Sequence, residues 1–293
     1  DQWPAVTDPH LYNTEDKNRS NLVTGRVDAE ITKLWSTSFM IGHYNMDYST
    51  HTPGFDFQPN VMCNRRFQTE WRNALTWNKE WKTVAGMAWD RSDYMSENNY
   101  VAKDEWQSTL AFFAEQMWAP TDNFDASVAL RLEHDSVWNN HFTWRYSNSW
   151  KVTGKDSPTR IFGSVGSGFR APTYFEQYAA NYGYVGNPDL DVSKSLGVEQ
   201  RLADNHYASV TGFWTRINDE IGTRSVGTWP NSYTTYDNFS HATSYGVEVA
   251  FKGQFKDAWN SGYYANYTFT MPKRDSIGKY ETIQMANTAR HSG

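Results

Sequence analysis

"VTGRVDAEIT", Val23 to Thr32, alternates without a break. Val23, Gly25, Val27, Ala29 and Ile31 fall on one side, and Thr24, Arg26, Asp28, Glu30 and Thr32 on the other. Neighbouring residues of a strand point to opposite faces, so this period of two predicts a β-strand with one apolar or small face and one charged face. "FDASVALRLEHD", residues 124–135, repeats the division: Phe124, Ala126, Val128, Leu130 and Leu132 against Asp125, Ser127, Ala129, Arg131, Glu133 and Asp135. "YGVEVAFK", residues 245–252, sets Tyr245, Val247, Val249 and Phe251 against Gly246, Glu248, Ala250 and Lys252.

Further strand candidates lie at 67–78, 81–94, 106–118, 142–152, 160–168, 195–203, 207–218 and 262–271. Many reach ten residues or more, longer than the usual strand of a soluble sheet. Trp71, Trp81, Trp89, Trp106, Trp118, Trp138, Trp144 and Trp150 are read as strand-end rings, the girdles of a membrane barrel. Junctions at 78–81, 119–124 and 202–207 are short and polar, whereas 49–66 and 170–194 are long. Short turns at one end and long loops at the other suit an outer-membrane barrel, here an all-β antiparallel meander of about 12 to 15 strands.

Composition agrees. Of 293 residues, 39% are hydrophobic and mean hydropathy is -0.76, yet aromatics reach 16%. Much of the apolar surface is therefore supplied by rings with polar edges, which favour interfaces. No run of 18 apolar residues exists, which excludes a transmembrane helix but not a barrel, whose strands need only about 9–11 residues. The formal charge of -6, without a basic run, argues against nucleic acid as a partner. Cys63 is the single cysteine, so no disulfide framework is implied. The opening "DQWPAVTDPH" has no signal-peptide pattern, as expected of a processed or internal start.

"SVGSGFRAPTYFEQY", residues 164–178, has the glycines of a nucleotide loop without its chemistry. No Gly-Lys-Ser/Thr follows Gly163, Gly166 and Gly168, the dinucleotide spacing is absent, and Val165 occupies the first glycine position of a nucleophile elbow around Ser167. These glycines belong at the end of a strand, which Pro172 terminates by driving Ala171 out of the helical region.

The same stretch carries a resemblance. "GFRAPTYFEQY" (Gly168, Phe169, Arg170, Ala171, Pro172 onward), followed by "GNPDLDVSKSLGVEQRL" (Gly186, Asn187, Pro188, Leu190, Lys194 and Ser195), resembles the strand-loop-strand signature of TonB-dependent outer-membrane receptors, cobalamin receptors among them. Asp191-Val192-Ser193 departs mildly from the usual Pro-Glu step. "DNFSHATSYGVEVAF", with Asn238, Ala242, Gly246, Val247 and Glu248, resembles a second family strand, and "ANTARHSG" at the end is a weaker echo with Ala289 where proline is common. The resemblance implies an outer-membrane location, a monomeric barrel of about 22 strands, a plug domain through which TonB acts, and uptake of a bulky nutrient such as cobalamin or an iron-siderophore. It implies no cofactor and no catalysis. Residues 1–293 then form one partial barrel domain, lacking the plug and the closing strands.

His43, His51 and Cys63 match no common zinc spacing. Glu133 and Asp135 share a strand face with Arg131, and a charged lumen lattice is a simpler reading than a glycosidase pair. Arg26, Asp28, Glu30, Arg131, Glu133, Glu199, Arg201, Glu248 and Lys252 are the expected inward groups, balancing charge across a wet lumen or holding a plug. Ligand contact is expected on outer loops, at Phe55, Phe57, Tyr182, Tyr184, Trp229 and Tyr233, with exposed rings also available to membrane lipid and lipopolysaccharide. A secreted carbohydrate-binding β-domain and a passive porin-like pore remain the alternatives.

Overall fold

The computed structural model describes residues 15–51, 60–97, 102–154, 159–178, 180–181, 184–185, 193–202, 206–228, 231–254, 261–275, 282–284 and 289–292. Its elements are β1 (Glu15–Thr32), β2 (Trp35–His51), β3 (Asn60–Thr76), β4 (Trp81–Glu97), β5 (Ala102–Thr121), β6 (Phe124–Asp135), β7 (Asn139–Lys151) and β8 (Arg160–Arg170). A five-residue helix α1 (Tyr174–Tyr178) follows, then β9 (Ala180–Asn181), β10 (Tyr184–Val185), β11 (Ser193–Leu202), β12 (His206–Val226), β13 (Tyr233–Gln254), β14 (Gly262–Asp275), β15 (Thr282–Gln284) and β16 (His291–Ser292). All strands belong to one sheet. From β1 to β8 each long strand pairs antiparallel with the next, and the order continues β8-β11-β12-β13-β14. Among the described residues β1 pairs with β2 alone, so the sheet is an open arc of barrel wall.

Directly paired residues share a face, so the register traces rows around the wall. One row runs Val27, Phe39, Trp71, Met87, Phe112, Leu132 and Phe142 across seven strands. These side chains are 37% (Met87) to 68% (Val27) exposed. A contiguous apolar face of this extent is intolerable in water and natural against hydrocarbon. The adjacent row on the other face runs Asp28, Ser38, Arg72, Gly86, Phe113, Arg131 and Thr143. The described buried hydrophobics Tyr94, Ala111 and Ala242 also lie on this second, inner face.

The outer face has a measurable height. Ten residue steps separate Trp81 from the outward Arg91 on β4, roughly 23 Å at ~3.3 Å per residue and ~45° tilt, close to the apolar band of a barrel. At the short-turn end Trp81 and Trp118 are paired and stacked (5.6 Å between rings), with Phe124 edge-on to Trp118 at 6.0 Å. Trp81, Trp118 and Trp150 thus form the expected girdle, but Trp71, Trp89 and Trp144 sit in mid-strand, within the band itself. Two further expectations change. The strand β2 has no counterpart among the sequence candidates, and the long junction at 49–66 shrinks because β2 and β3 extend into both of its ends.

Candidate functional site

Glycine-broken β8 pairs with β11 from Ile161–Leu202 to Arg170–Ser193. This ladder places Lys194 opposite Phe169 and Ser195 opposite Gly168, as the strand-loop-strand reading requires. Pro172 ends the strand, and the chain then turns onto the inner face. Thr173 and Glu176 start α1 as a reciprocal cap: the Thr173 N–H donates to Glu176 Oε2 (2.7 Å), and the Glu176 N–H donates to Thr173 Oγ1 (3.3 Å). Gln177, 3% exposed, donates its amide to the Pro172 carbonyl (3.1 Å).

This short segment reaches four strands away. The Tyr174 ring stacks on Tyr94 of β4 (4.9 Å, 4° between planes), and its hydroxyl donates to the Ser92 carbonyl (3.1 Å). Burial first, and the acidic Asp93 and Asp135 second, push the Tyr174 phenol above its ordinary pKa, so it remains a donor. Tyr178 continues the aromatic stack at 6.4 Å. Residues 170–178 thus form a strap across the inner ends of β5 to β7.

Arg170 closes the strap onto the wall, donating to Glu176 Oε1 at 2.6 Å. Burial opposes ionisation of Glu176, but the Arg170 guanidinium and the Thr173 N–H and hydroxyl outweigh it and hold the carboxyl below the ordinary range. On the nearby inner wall Asp135, 4% exposed, accepts from Gln107 (2.7 Å), Thr109 (2.6 Å) and the N–H groups of Val137 (2.8 Å) and Trp138 (3.1 Å). Asp90 faces Arg66 at 3.5 Å.

A two-faced antiparallel wall with an internal strap is what a barrel receptor provides, and the family comparison agrees. The profile described as "TonB dependent receptor-like, beta-barrel" matches residues 2–293. The chain belongs to this family. It is an outer-membrane β-barrel chain of the Gram-negative TonB-dependent receptors, a family of receptors and transporters rather than enzymes. The receptor is 26% identical over 204 residues to the iron-regulated outer membrane virulence protein of Vibrio cholerae serotype O1, covering 63% of this chain and 30% of the relative. It is 24% identical over 170 residues to the vitamin B12 transporter BtuB of Photobacterium profundum, covering 55% of this chain and 27% of that one. The chain therefore spans under a third of the length of these curated relatives. Its fold is similar to that of the copper transporter OprC, with a TM-score of 0.75 at 13% identity over 89% of this chain and 48% of that one.

Charged side chains of the inner face are paired. Arg26 pairs with Asp28 (2.7 Å) and Arg131 with Glu133 (2.7 Å). Arg26, Asp28 and Glu30 line a recess of about 460 Å³ with Ser36, Ser38 and Arg72. The backbones of Glu199 and Arg201 lie opposite Ser164 and Phe162, and those of Glu248 and Lys252 opposite Thr211 and Tyr207. Among the proposed ligand contacts, Tyr233 is exposed at the start of β13 and Tyr184 lies in β10, parallel to β13. Phe55, Phe57, Tyr182, Trp229, Gly186, Asn187, Pro188 and Leu190 lie outside the described residues. Among the described residues no group of three or more metal-ligating side chains converges.

The second receptor motif gains a physical meaning. Asn238, Ala242 and Gly246 are four apart and share the inner face. Asn238 donates to the Asp219 carbonyl (2.8 Å), supporting a residue at φ 54°, and Ala242 is 3% exposed. A Cβ on Gly246 would strike the Phe269 carbonyl oxygen and lie 2.7 Å from Phe213 Cζ. Gly86 repeats the device, with Phe113 Cζ 2.7 Å from the same imaginary atom. Val247, 41% exposed, faces outward. Sequence reading missed Phe213 and Phe113, which follow only from cross-strand register. It stopped the strand at Pro172 but missed the short helix that follows, although "TYFE" is a legible Thr-x-x-Glu capping signal.

Proposed function

We propose that the full-length protein imports a scarce, bulky nutrient across the outer membrane, energised by TonB acting through a plug domain. The observation that carries this reading is the two-faced wall: a predominantly apolar exterior backed by a charged interior, in a chain of this family. The paired charges Arg26–Asp28 and Arg131–Glu133 offer a wet, hydrogen-bonding surface against which a plug can seat and from which it can part. The cargo is an iron-siderophore or cobalamin, supported by the iron-regulated and vitamin B12 relatives. Phe55, Phe57, Tyr182, Tyr184, Trp229 and Tyr233 present rings to that cargo in the outer loops. Lipid and lipopolysaccharide cover the apolar belt, and the barrel works as a monomer.

Uptake of labelled cobalamin and of labelled ferric siderophores by cells producing the full-length protein tests the proposal, with and without functional TonB. The expected result is saturable uptake of one cargo that disappears without TonB. TonB-independent entry with steady single-channel conductance would instead establish a passive pore.

A further inference from the structure

The outer face changes chemistry at one height on β12, β13 and β14. Below it the outward positions are apolar or small, among them Val210 and Trp214 on β12, Val247 and Tyr245 on β13, and Tyr267 and Met271 on β14. The next outward row is Arg216, Thr243 and Lys273, joined by direct pairing across the three strands. Ten residue steps separate Tyr263 from Lys273 on β14, the same number that separates Trp81 from Arg91 on β4. Arg216 and Lys273 therefore stand at the upper edge of the apolar band. Their end of the wall carries the long 171–192 connection, and the long loops of such barrels lie outside the cell.

Trp214 (36% exposed) and Tyr245 (38%) are paired directly beneath this row. Aromatic rings at the interface, with arginine or lysine just beyond them, suit contact with anionic headgroups. Both cations are exposed, and among the described residues neither forms an ion pair. Arg216 Nε donates to Asn218 Oδ1 at 3.1 Å, which steadies the guanidinium and leaves its two terminal nitrogens for another acceptor. The Lys273 ammonium lies 6.0 Å from the centre of the Tyr245 ring. On β4 the cation at the same height is neutralised instead, Arg91 being tied to Asp93 at 2.9 Å. The acidic positions Glu220 and Asp275 come later, farther from the band along β12 and β14. Adjacent strands lie ~4.8 Å apart, so the backbones of Arg216 and Lys273 flank Thr243 at roughly 10 Å, a span that two long side chains can close around one phosphate.

We propose that the outward row Arg216–Thr243–Lys273 binds the phosphate of an outer-leaflet glycolipid, a phosphorylated sugar carrying acyl chains. The cations select the phosphate, and the exposed apolar rows beneath them take the chains. The proposal narrows the lipid contact of the barrel to one place on the wall and rests on that contact. It is independent of the cargo, which passes on the other face.

The test uses the full-length protein in detergent, with bound lipid counted by native mass spectrometry. The probes are phosphorylated lipid A, the same lipid after enzymatic dephosphorylation, and phosphatidylglycerol. Phosphorylated lipid A is expected to bind most tightly. The double variant Arg216→Gln, Lys273→Gln is expected to weaken that binding at least about tenfold, as removal of two cations facing a charged headgroup should. Arg216→Lys should retain most of it, and Arg91→Gln on β4 should leave it unchanged. Unchanged heat-modifiable gel mobility establishes that the variants are folded. Equal binding of phosphorylated lipid A by the folded double variant overturns the site and leaves the general lipid contact standing, as does equal binding of the dephosphorylated lipid by the unaltered protein. Phosphatidylglycerol binding as tightly as lipid A overturns the glycolipid assignment, and binding of no lipid sinks the site and the lipid contact together.

Discussion

Gly246 lies under the ring of Phe213, and Gly86 under that of Phe113, each where the wall needs a large apolar side chain to lie flat. A β-carbon at either position meets backbone oxygen, which cannot rotate away, as well as ring carbon. Gly212, on the adjacent strand β12 but on the outer face, meets nothing within 4 Å. Gly246→Val is therefore expected to cost about 1–3 kcal/mol or to block assembly, whereas Gly212→Val is tolerated. Urea midpoints of the folded protein in detergent check the pair, and equal midpoints would refute the account. Gly166, two residues before the first motif, belongs with the tight positions: a β-carbon there would lie 2.7 Å from the Trp144 carbonyl oxygen. Such requirements leave only a glycine in the sequence. The ring that imposes them sits on another strand, dozens of residues distant.

At the scale of the element, alternation is legible where one face is clean. "VTGRVDAEIT" and "FDASVALRLEHD" read directly as strands because their outward positions, His134 near one strand end aside, are apolar or small. β2 did not, because "WSTSFMIGHYNMDYSTH" mixes Thr37, His43 and Asn45 among its outward residues, and only its neighbours Val27 and Trp71 reveal the belt. The strap was half legible. Its stop at Pro172 and its return strand followed from local chemistry, but the Tyr174–Tyr94 stack has no local signature. Acid should loosen the strap. Because Glu176 has a lowered carboxyl pKa in the folded protein, its ionised form contributes stability above the ordinary carboxylate range, and that contribution is lost as pH falls through the folded value. Protection of the α1 amides against hydrogen exchange, relative to their intrinsic rates, is expected to fall on acidification below pH ~4.3, and Glu176→Gln should flatten that dependence. An unchanged pH dependence in this variant would assign the acid response to other groups.

Across the whole molecule the two faces make opposite demands on the same substitution. Phe112 sits mid-belt, 52% exposed on the outward face, whereas Ser127 faces inward and bonds Ser147 at 2.8 Å. Phe112→Lys is expected to destabilise the folded barrel by about 2–4 kcal/mol, the cost of a charge at the bilayer midplane. Ser127→Lys should lose roughly 1 kcal/mol or less, since its ammonium reaches water. Equilibrium unfolding in lipid vesicles measures both, and similar costs would contradict the assignment of faces.

The strap also orders events in time. Each long neighbouring pair from β1 to β8 joins residues separated by a short turn or modest loop, and such contacts close quickly. Tyr174 meets Ser92 across 82 positions, a closure that becomes inexpensive only after β4 to β8 have been laid side by side. The tyrosine stack is thus a late arrival, forming once five consecutive strands stand in register. A wall that has skipped or slipped a strand offers Tyr174 the wrong neighbour, so the strap records that this stretch has been assembled in the right sequence.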